Sequence, residues 1–323
     1  MERIGILKPN DMSGSEMIEH AKIAEAKGFE SVWVAEDYYF RDAIGPASAL
    51  SVVTNKVKIG IGVINLYTRT PANIAMTTAS LDEISNQRTV LGIGTSLPWG
   101  VEQQGYKFRN NLARIREGIE IIRRLLAGEN VTYSGRVFKI RDAQLSFKPP
   151  RAKVPIYVAA MGPLMLQLAG EIADGVVLSA GAPLEYMKMV SENVAIGAER
   201  AGRNPEEVDI VGNLVLSASE DRNAAREAVK SVLIWELAND IFDRLIEGSG
   251  RDLGPILSVR KIIERGDIEE AKRKMTDEII DLVAVAGTPR ECKSKVEKFR
   301  AAGLKLPIIF PTGDVNAAIL AVV

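Results

Sequence analysis

Two adjacent carboxylates, Glu36 and Asp37, follow the apolar run Ser31–Ala35. Acids at the end of a strand can exchange protons with a substrate or hold a polar edge of a cofactor. The same pair could cap the next helix or bind Arg41, and their spacing leaves both roles open. A second candidate lies in Leu81–Gly94, where a helical stretch stops at a polar turn and feeds a short apolar strand. That strand ends on Gly92, Gly94, Thr95 and Ser96, small residues that leave backbone amides and room for a flat ligand. A third is Ala159-Ala160-Met161-Gly162-Pro163, which runs from a strand into a helix. Free amides there would hold a phosphate, and an ordinary strand-to-helix turn accounts for it equally. In Gly60-Ile61-Gly62 the glycines serve packing within a strand, or Gly62 marks a bulge.

Other chemistries are poorly supplied. The chain has one histidine, His20, on an early helix, and one cysteine, Cys292, in a late charged helix. They read as structural and inert, respectively. One of each gives no disulfide framework and no Cys/His zinc site, and no metal is expected. No Ser/His/Asp or Cys/His constellation is apparent. The Gly-x-Gly pairs lack a dinucleotide-binding context.

Short apolar runs alternate with helical stretches and must position these groups. Strands are expected at Ile4–Leu7, Ser31–Ala35, Val57–Ile64, Val90–Ile93, Ile156–Ala159, Gly175–Leu178, Val208–Val215 and Pro307–Phe310. Helices are expected at Ser15–Lys27, Pro46–Thr54, Pro71–Ile84, Asn111–Leu126, Leu164–Ala173, Pro183–Ala201 and from Asn223 onward. Gly28 should end the first helix in a left-handed conformation. Val131–Phe138 looks like a small hairpin turning at Ser134-Gly135.

Most of the strands are continuous apolar runs, the pattern of strands buried on both faces. Eight strand–helix units in 323 residues fit one (β/α)8 TIM barrel, although periodicity alone leaves an open doubly wound sheet possible. About ninety residues separate the last two strands, far more than one helix needs. A helical insertion is therefore expected at about 223–280, within a single barrel domain spanning 1–323.

The composition is 46% hydrophobic and 26% charged, with a formal net charge of -1. There is no basic run or basic aromatic patch, so nucleic acid is not an expected partner. The start is strand-like without a signal-peptide core, and no apolar run spans a bilayer. No membrane partner is expected, and a soluble cytoplasmic protein is the simplest expectation.

Parallel barrels place their active sites at the C-terminal ends of the strands. These ends fall at Lys8-Pro9-Asn10, Glu36-Asp37-Tyr38, Asn65-Leu66-Tyr67, Thr95-Ser96-Leu97, Ala160-Met161-Gly162, Ser179-Ala180-Gly181, near Asn213, and at Pro311-Thr312-Gly313-Asp314. Most are small or polar and uncharged, which suits a broad planar ligand held by backbone contacts.

At these residues the chain resembles the bacterial-luciferase-like superfamily of flavin and deazaflavin oxidoreductases. Within it, the chain is most similar to the coenzyme F420-dependent methylenetetrahydromethanopterin reductases. The matching stretches are Gly28–Trp33, Lys58–Val63, Arg69–Ala72, Leu81–Gly94, Val154–Asp174 and Ala286–Pro289. The resemblance implies a luciferase-like barrel with F420 across the strand ends, FMN being the alternative. It implies hydride transfer to a small-molecule substrate and assembly into a homodimer or homotetramer. It also implies a non-prolyl cis peptide at Gly62-Val63, in a bulge that presses on the ring. Glu36 then faces the ring's polar edge, with Asp37 as the acid or base. Asn65, Thr95 and Ser96 bond the ring and its side chain. Met161, Gly162 and Ser179 hold the phosphate, and Ala160 and Ala180 complete the cofactor set.

Three positions depart from the reductases. Glu36-Asp37 replaces Asp-His, Leu7 replaces a glutamate, and Thr95-Ser96-Leu97 replaces Gly-Pro-Gly-Asp. These changes keep two alternatives in view: an FMN-dependent monooxygenase, and a cofactor-binding paralogue without catalysis.

Overall fold

Helix starts carry the acceptors that their free amides need. Ahead of the helix α1 (Gly14–Ala26), Ser13 Oγ accepts from the Glu16 amide at 3.3 Å, and Glu16 accepts from the Ser13 amide at 2.9 Å. Thr70-Pro71 opens another helix with a threonine cap and proline in its first turn. Gly28 ends α1 at φ 79°, in the expected left-handed conformation.

The computed structural model describes residues 2–8, 12–37 and 39–323. Its strands are β1 (Gly5–Lys8), β2 (Ser31–Val34), β3 (Lys58–Asn65), β4 (Thr89–Gly94), β5 (Val131–Ser134), β6 (Lys139–Ala143), β7 (Ile156–Ala159), β8 (Gly175–Leu178), β9 (Asp209–Ala218), β10 (Val285–Gly287) and β11 (Leu306–Pro311). After α1 come α2 (Ile44–Val53), α3 (Pro71–Ile84), α4 (Pro98–Glu102), α5 (Asn111–Leu126), α6 (Pro163–Ile172), α7 (Tyr186–Arg200) and α8 (Arg222–Ala238). The last are α9 (Asp243–Gly248), α10 (Gly254–Glu264), α11 (Ile268–Lys274), α12 (Asp277–Val283), α13 (Pro289–Ala301) and α14 (Val315–Leu320).

Strands β1, β2, β3, β4, β7, β8, β9 and β11 pair in that order, all parallel, and β11 returns to β1 with Gly5 opposite Ile308. The barrel is closed, and the open sheet is excluded. Its interior holds Leu7, Trp33, Val90, Tyr157, Val211 and Ile308, among others. A larger apolar layer packs the outer face against the helices.

Several elements differ from expectation. The hairpin's second strand is 139–143, not the stretch ending at Phe138, because residues 135–138 form a loop around Glu117. The Glu117 carboxylate accepts from the amides of Arg136, Val137 and Phe138 at 2.8–2.9 Å. No pattern rule announces a loop wrapped on a carboxylate. Strand β9 runs on to Ala218, so Asn213 lies within it and not at its end. Its extension is paired on one side by β11 and on the other by the short strand β10, and β10 is not visible as periodicity.

The polar turn in Leu81–Gly94 is a lock at the barrel's N-terminal face. Asp82, fully buried, accepts from Arg151 Nη2 and Nε at 2.8 and 2.9 Å and from the Thr89 amide at 3.2 Å. Removing one partner of a fully buried ion pair costs about 3–5 kcal/mol, which is an upper bound here because Arg151 is 27% exposed. Asp82→Ala should therefore lower the unfolding free energy by up to that order, read as a lower urea midpoint at an unchanged slope. A midpoint within error of the parent would show that the pair contributes nothing.

Candidate active site

The mouth of the barrel is built from glycines that admit other groups. A Cβ on Gly60 would fall 2.3 Å from the Trp33 ring, so Gly60 makes room for the large side chain that fills the barrel. The β3–β4 register slips between Ile61 and Ile64, and the Gly62–Val63 peptide there is cis, as the resemblance implies. This bulge presses on the next strand. A Cβ on Gly92 would lie 2.1 Å from the Ile61 carbonyl, and one on Gly94 would lie 2.7 Å from Val63 Cγ2. Gly92 and Gly94 thus accommodate the bulge and do not themselves leave a slot for a ligand. Val63 occupies that space and faces the mouth.

Around this floor the sequence-predicted residues fall at the strand ends. Asn65 is buried, and its Oδ1 accepts from the Tyr67 and Thr68 amides, both at 3.0 Å. Its oxygen is spent on an Asx turn, so only its amide nitrogen could serve a ligand. Thr95 and Ser96 are half-buried after β4, with Ser96 at φ 60°. After β7, Ala160 is buried and Met161 and Gly162 are half-buried. Gly162 begins α6 without a side-chain cap, and a Cβ there would meet nothing within 4 Å. The Tyr186 hydroxyl donates to the Met161 carbonyl and fixes this corner. Ser179 is half-buried and Ala180 buried just beyond β8. Pro9, Asn10 and Tyr38 lie outside the described residues.

The cap of α2 is Asp42, whose Oδ1 accepts from the Ile44 and Gly45 amides at 2.8 and 2.9 Å. Glu36 pairs with Arg69 through two bonds at 3.2 and 3.0 Å, and Arg69 also reaches Asp42 at 2.6 Å. Burial opposes the charge on Arg69, but Glu36 and Asp42 outweigh it and raise its pKa. Asp37 is exposed.

Sequence reasoning missed Glu236. This half-buried acid near the end of α8 lies close enough to Asp37 to feel its charge. Burial, with Asp37 adding repulsion, pushes its carboxyl up to about 8. An acid within a helix gives no signal of this kind until the fold brings a second charge to it. The turn after α8 also reaches the mouth, because Phe242 packs where a Cβ on Gly181 would sit, 2.4 Å away. Large apolar side chains stand exposed after β2, β4 and β7, namely Phe40, Trp99 and Leu164.

Asn213, expected near the end of its strand, lies within β9. Its Nδ2 donates to the Leu178 carbonyl at 3.3 Å, while its buried Oδ1 accepts no bond from the described residues. A buried acceptor left unmatched costs about 1–3 kcal/mol.

The opposite end of the barrel is closed by charge. Arg3 holds Glu30 and Asp209 with four bonds of 2.7–3.0 Å, and Tyr157 donates to Asp209 at 2.8 Å. A 430 Å³ depression opens there, and Arg3, Tyr157 and Asp209 in its lining bond one another, as befits the stability face of a barrel. Cys292 is buried, and burial pushes its thiol up to about 11, outside the reactive range. Among the described residues, no three His, Cys, Asp or Glu side chains converge as a metal site would need, and no helix is long and apolar enough to cross a membrane.

A closed parallel barrel with polar groups and a bulged strand gathered at its C-terminal mouth defines the class of TIM-barrel enzymes. Within that class the chain belongs to the luciferase-like monooxygenase family, whose model matches residues 4–306. It is 36% identical to the 5,10-methylenetetrahydromethanopterin reductase of Methanolobus tindarius, over 88% of this chain and 86% of that protein. It is 29% identical to the F420-dependent glucose-6-phosphate dehydrogenase of Amycolatopsis mediterranei, over 90% of this chain and 86% of the relative. The solved coenzyme F420-dependent tetrahydromethanopterin reductase from Methanopyrus kandleri superposes with a TM-score of 0.91 at 28% identity. That match covers 100% of this chain and 97% of the other.

Proposed function

We propose that this protein is an F420-dependent oxidoreductase acting on methylenetetrahydromethanopterin or a close relative of it. The observation that carries this is the near-full-length match, in sequence and fold, to F420-dependent reductases. The mouth fits a planar cofactor on two counts. Val63 offers an apolar backstop among small neighbours, and Asn213 presents an unmatched buried acceptor that a ligand's donor would satisfy.

Reduced F420, when bound, supplies a hydride from the central carbon of its ring. The chain supplies orientation and charge. The open start of α6 at Met161 and Gly162, with Ala160, Ser179 and Ala180 beside it, would hold the phosphate through amides and a hydroxyl. Gly62 and Val63 back the ring, and Thr95, Ser96 and the Asn65 nitrogen bond its edge and side chain. Glu36, fixed by Arg69, sets the polar side of the mouth. Asp37 exchanges a proton with the substrate, and Glu236 holds one beside it at neutral pH. Phe40, Trp99 and Leu164 suit a substrate with a flat, partly apolar body. Exposed Val52, Met76 and Ile84 on α2 and α3 support assembly into a homodimer or homotetramer, which light scattering measures.

Titration with F420 and with FMN tests the cofactor. F420 should bind at least tenfold more tightly, a difference of about 1.4 kcal/mol. Tighter FMN binding would favour the flavin monooxygenase reading. Oxidation of reduced F420 on adding methylenetetrahydromethanopterin tests the substrate, and binding without turnover would favour the paralogue that lacks catalysis.

A further inference from the structure

The register of β9 places Asn213 at the mouth. Gly212 lies opposite Leu178, the last residue of β8, so Asn213 stands level with Ser179 just beyond that strand's end. On its other side Asn213 lies opposite Ile308, whose side chain belongs to the barrel interior. Asn213 therefore points inward from a strand whose neighbours hold it on both sides. The Leu178 carbonyl can only accept, so the Asn213 nitrogen must face it, at 3.3 Å. The oxygen is left over, buried, with no donor among the described residues. Such an acceptor is matched by a ligand that brings an N–H or O–H into the mouth.

We propose that Asn213 Oδ1 is the acceptor for the imide N–H on the pyrimidine edge of a deazaflavin ring. This rests on the reading that such a ring lies in the mouth. The imide N–H stays a donor through neutral pH, flanked by carbonyls that cannot pair with Oδ1 themselves. The ring phenol at the far end ionises readily through conjugation and then donates nothing. Asn213 is thus a binding residue that selects ring orientation.

The test is fluorescence titration of F420 into the parent protein and into Asn213→Leu, which keeps the bulk and removes the acceptor. The parent should bind F420, and the variant should bind it about 10–100-fold more weakly, the loss expected for a buried donor left unpaired. An F420 analogue methylated at the imide nitrogen should lose a similar factor on the parent and no further factor on the variant. The melting temperature of the ligand-free variant should stay close to the parent's, because removal of the unpaired acceptor offsets loss of the 3.3 Å bond to the Leu178 carbonyl. Failure of the parent to bind F420 would overturn the cofactor reading itself. Equal F420 affinity in parent and variant, with F420 bound by both, would overturn the role of Asn213 alone. Full affinity of the methylated analogue for the parent would do the same, and needs no variant to fold.

Discussion

Asp37→Asn should bind F420 nearly as well as the parent and turn over about 10²–10⁴-fold more slowly. The amide keeps the size of the acid and most of its hydrogen bonds but cannot exchange a proton, and general acid–base catalysis is worth that factor. Asp37 is exposed at the end of β2, so the substitution should leave stability within about 0.5 kcal/mol. A slow enzyme with an unchanged melting temperature would therefore locate the defect in chemistry. A second readout comes from the charge that Asp37 projects onto Glu236. With that charge removed, the Glu236 carboxyl should titrate at lower pH, while burial still holds it above the ordinary value. The basic limb of the pH–rate profile would then move down. Unchanged turnover would remove Asp37 from the catalytic machinery.

Glu236→Gln should slow turnover by about 10²-fold at pH 7 and abolish the basic limb of the profile. In the parent, activity should fall as pH rises through about 8, where Glu236 loses its proton. Stability gives an independent sign. The folded protein holds this proton more tightly than the unfolded chain does, so the contribution is complete below the ordinary carboxylate range and is lost as pH rises through about 8. Glutamine never ionises. The variant should match the parent's melting temperature near pH 4 and exceed it increasingly up to pH 8 and above. A parent and variant with parallel melting curves across that range would show that Glu236 titrates normally.

Local signals in the sequence specified eight buried strands alternating with helices, and the pairing of β11 with β1 closed them into a barrel. Its apolar runs are buried on both faces, its helices carry Ser13, Thr70 and Thr288 at their starts, and these local signals survive without knowledge of partners. The cis peptide at Gly62-Val63 was also legible, but only through family resemblance. The turn in Leu81–Gly94 was recognisable as a unit, yet its chemistry was not. Asp82 works through Arg151, 69 residues later. Tertiary structure alone decided that Gly92 and Gly94 receive the bulge of β3, since a glycine does not name what fills the space beside it. It alone gave Glu36 to Arg69, which no helical or strand spacing connects. It likewise extended β9 past Asn213 and carried Glu236 to Asp37 across some two hundred residues of chain. Periodicity reports which face of an element is apolar. The charge, acceptor or carbonyl that meets that face comes from elsewhere in the chain, and closure of the barrel selects it.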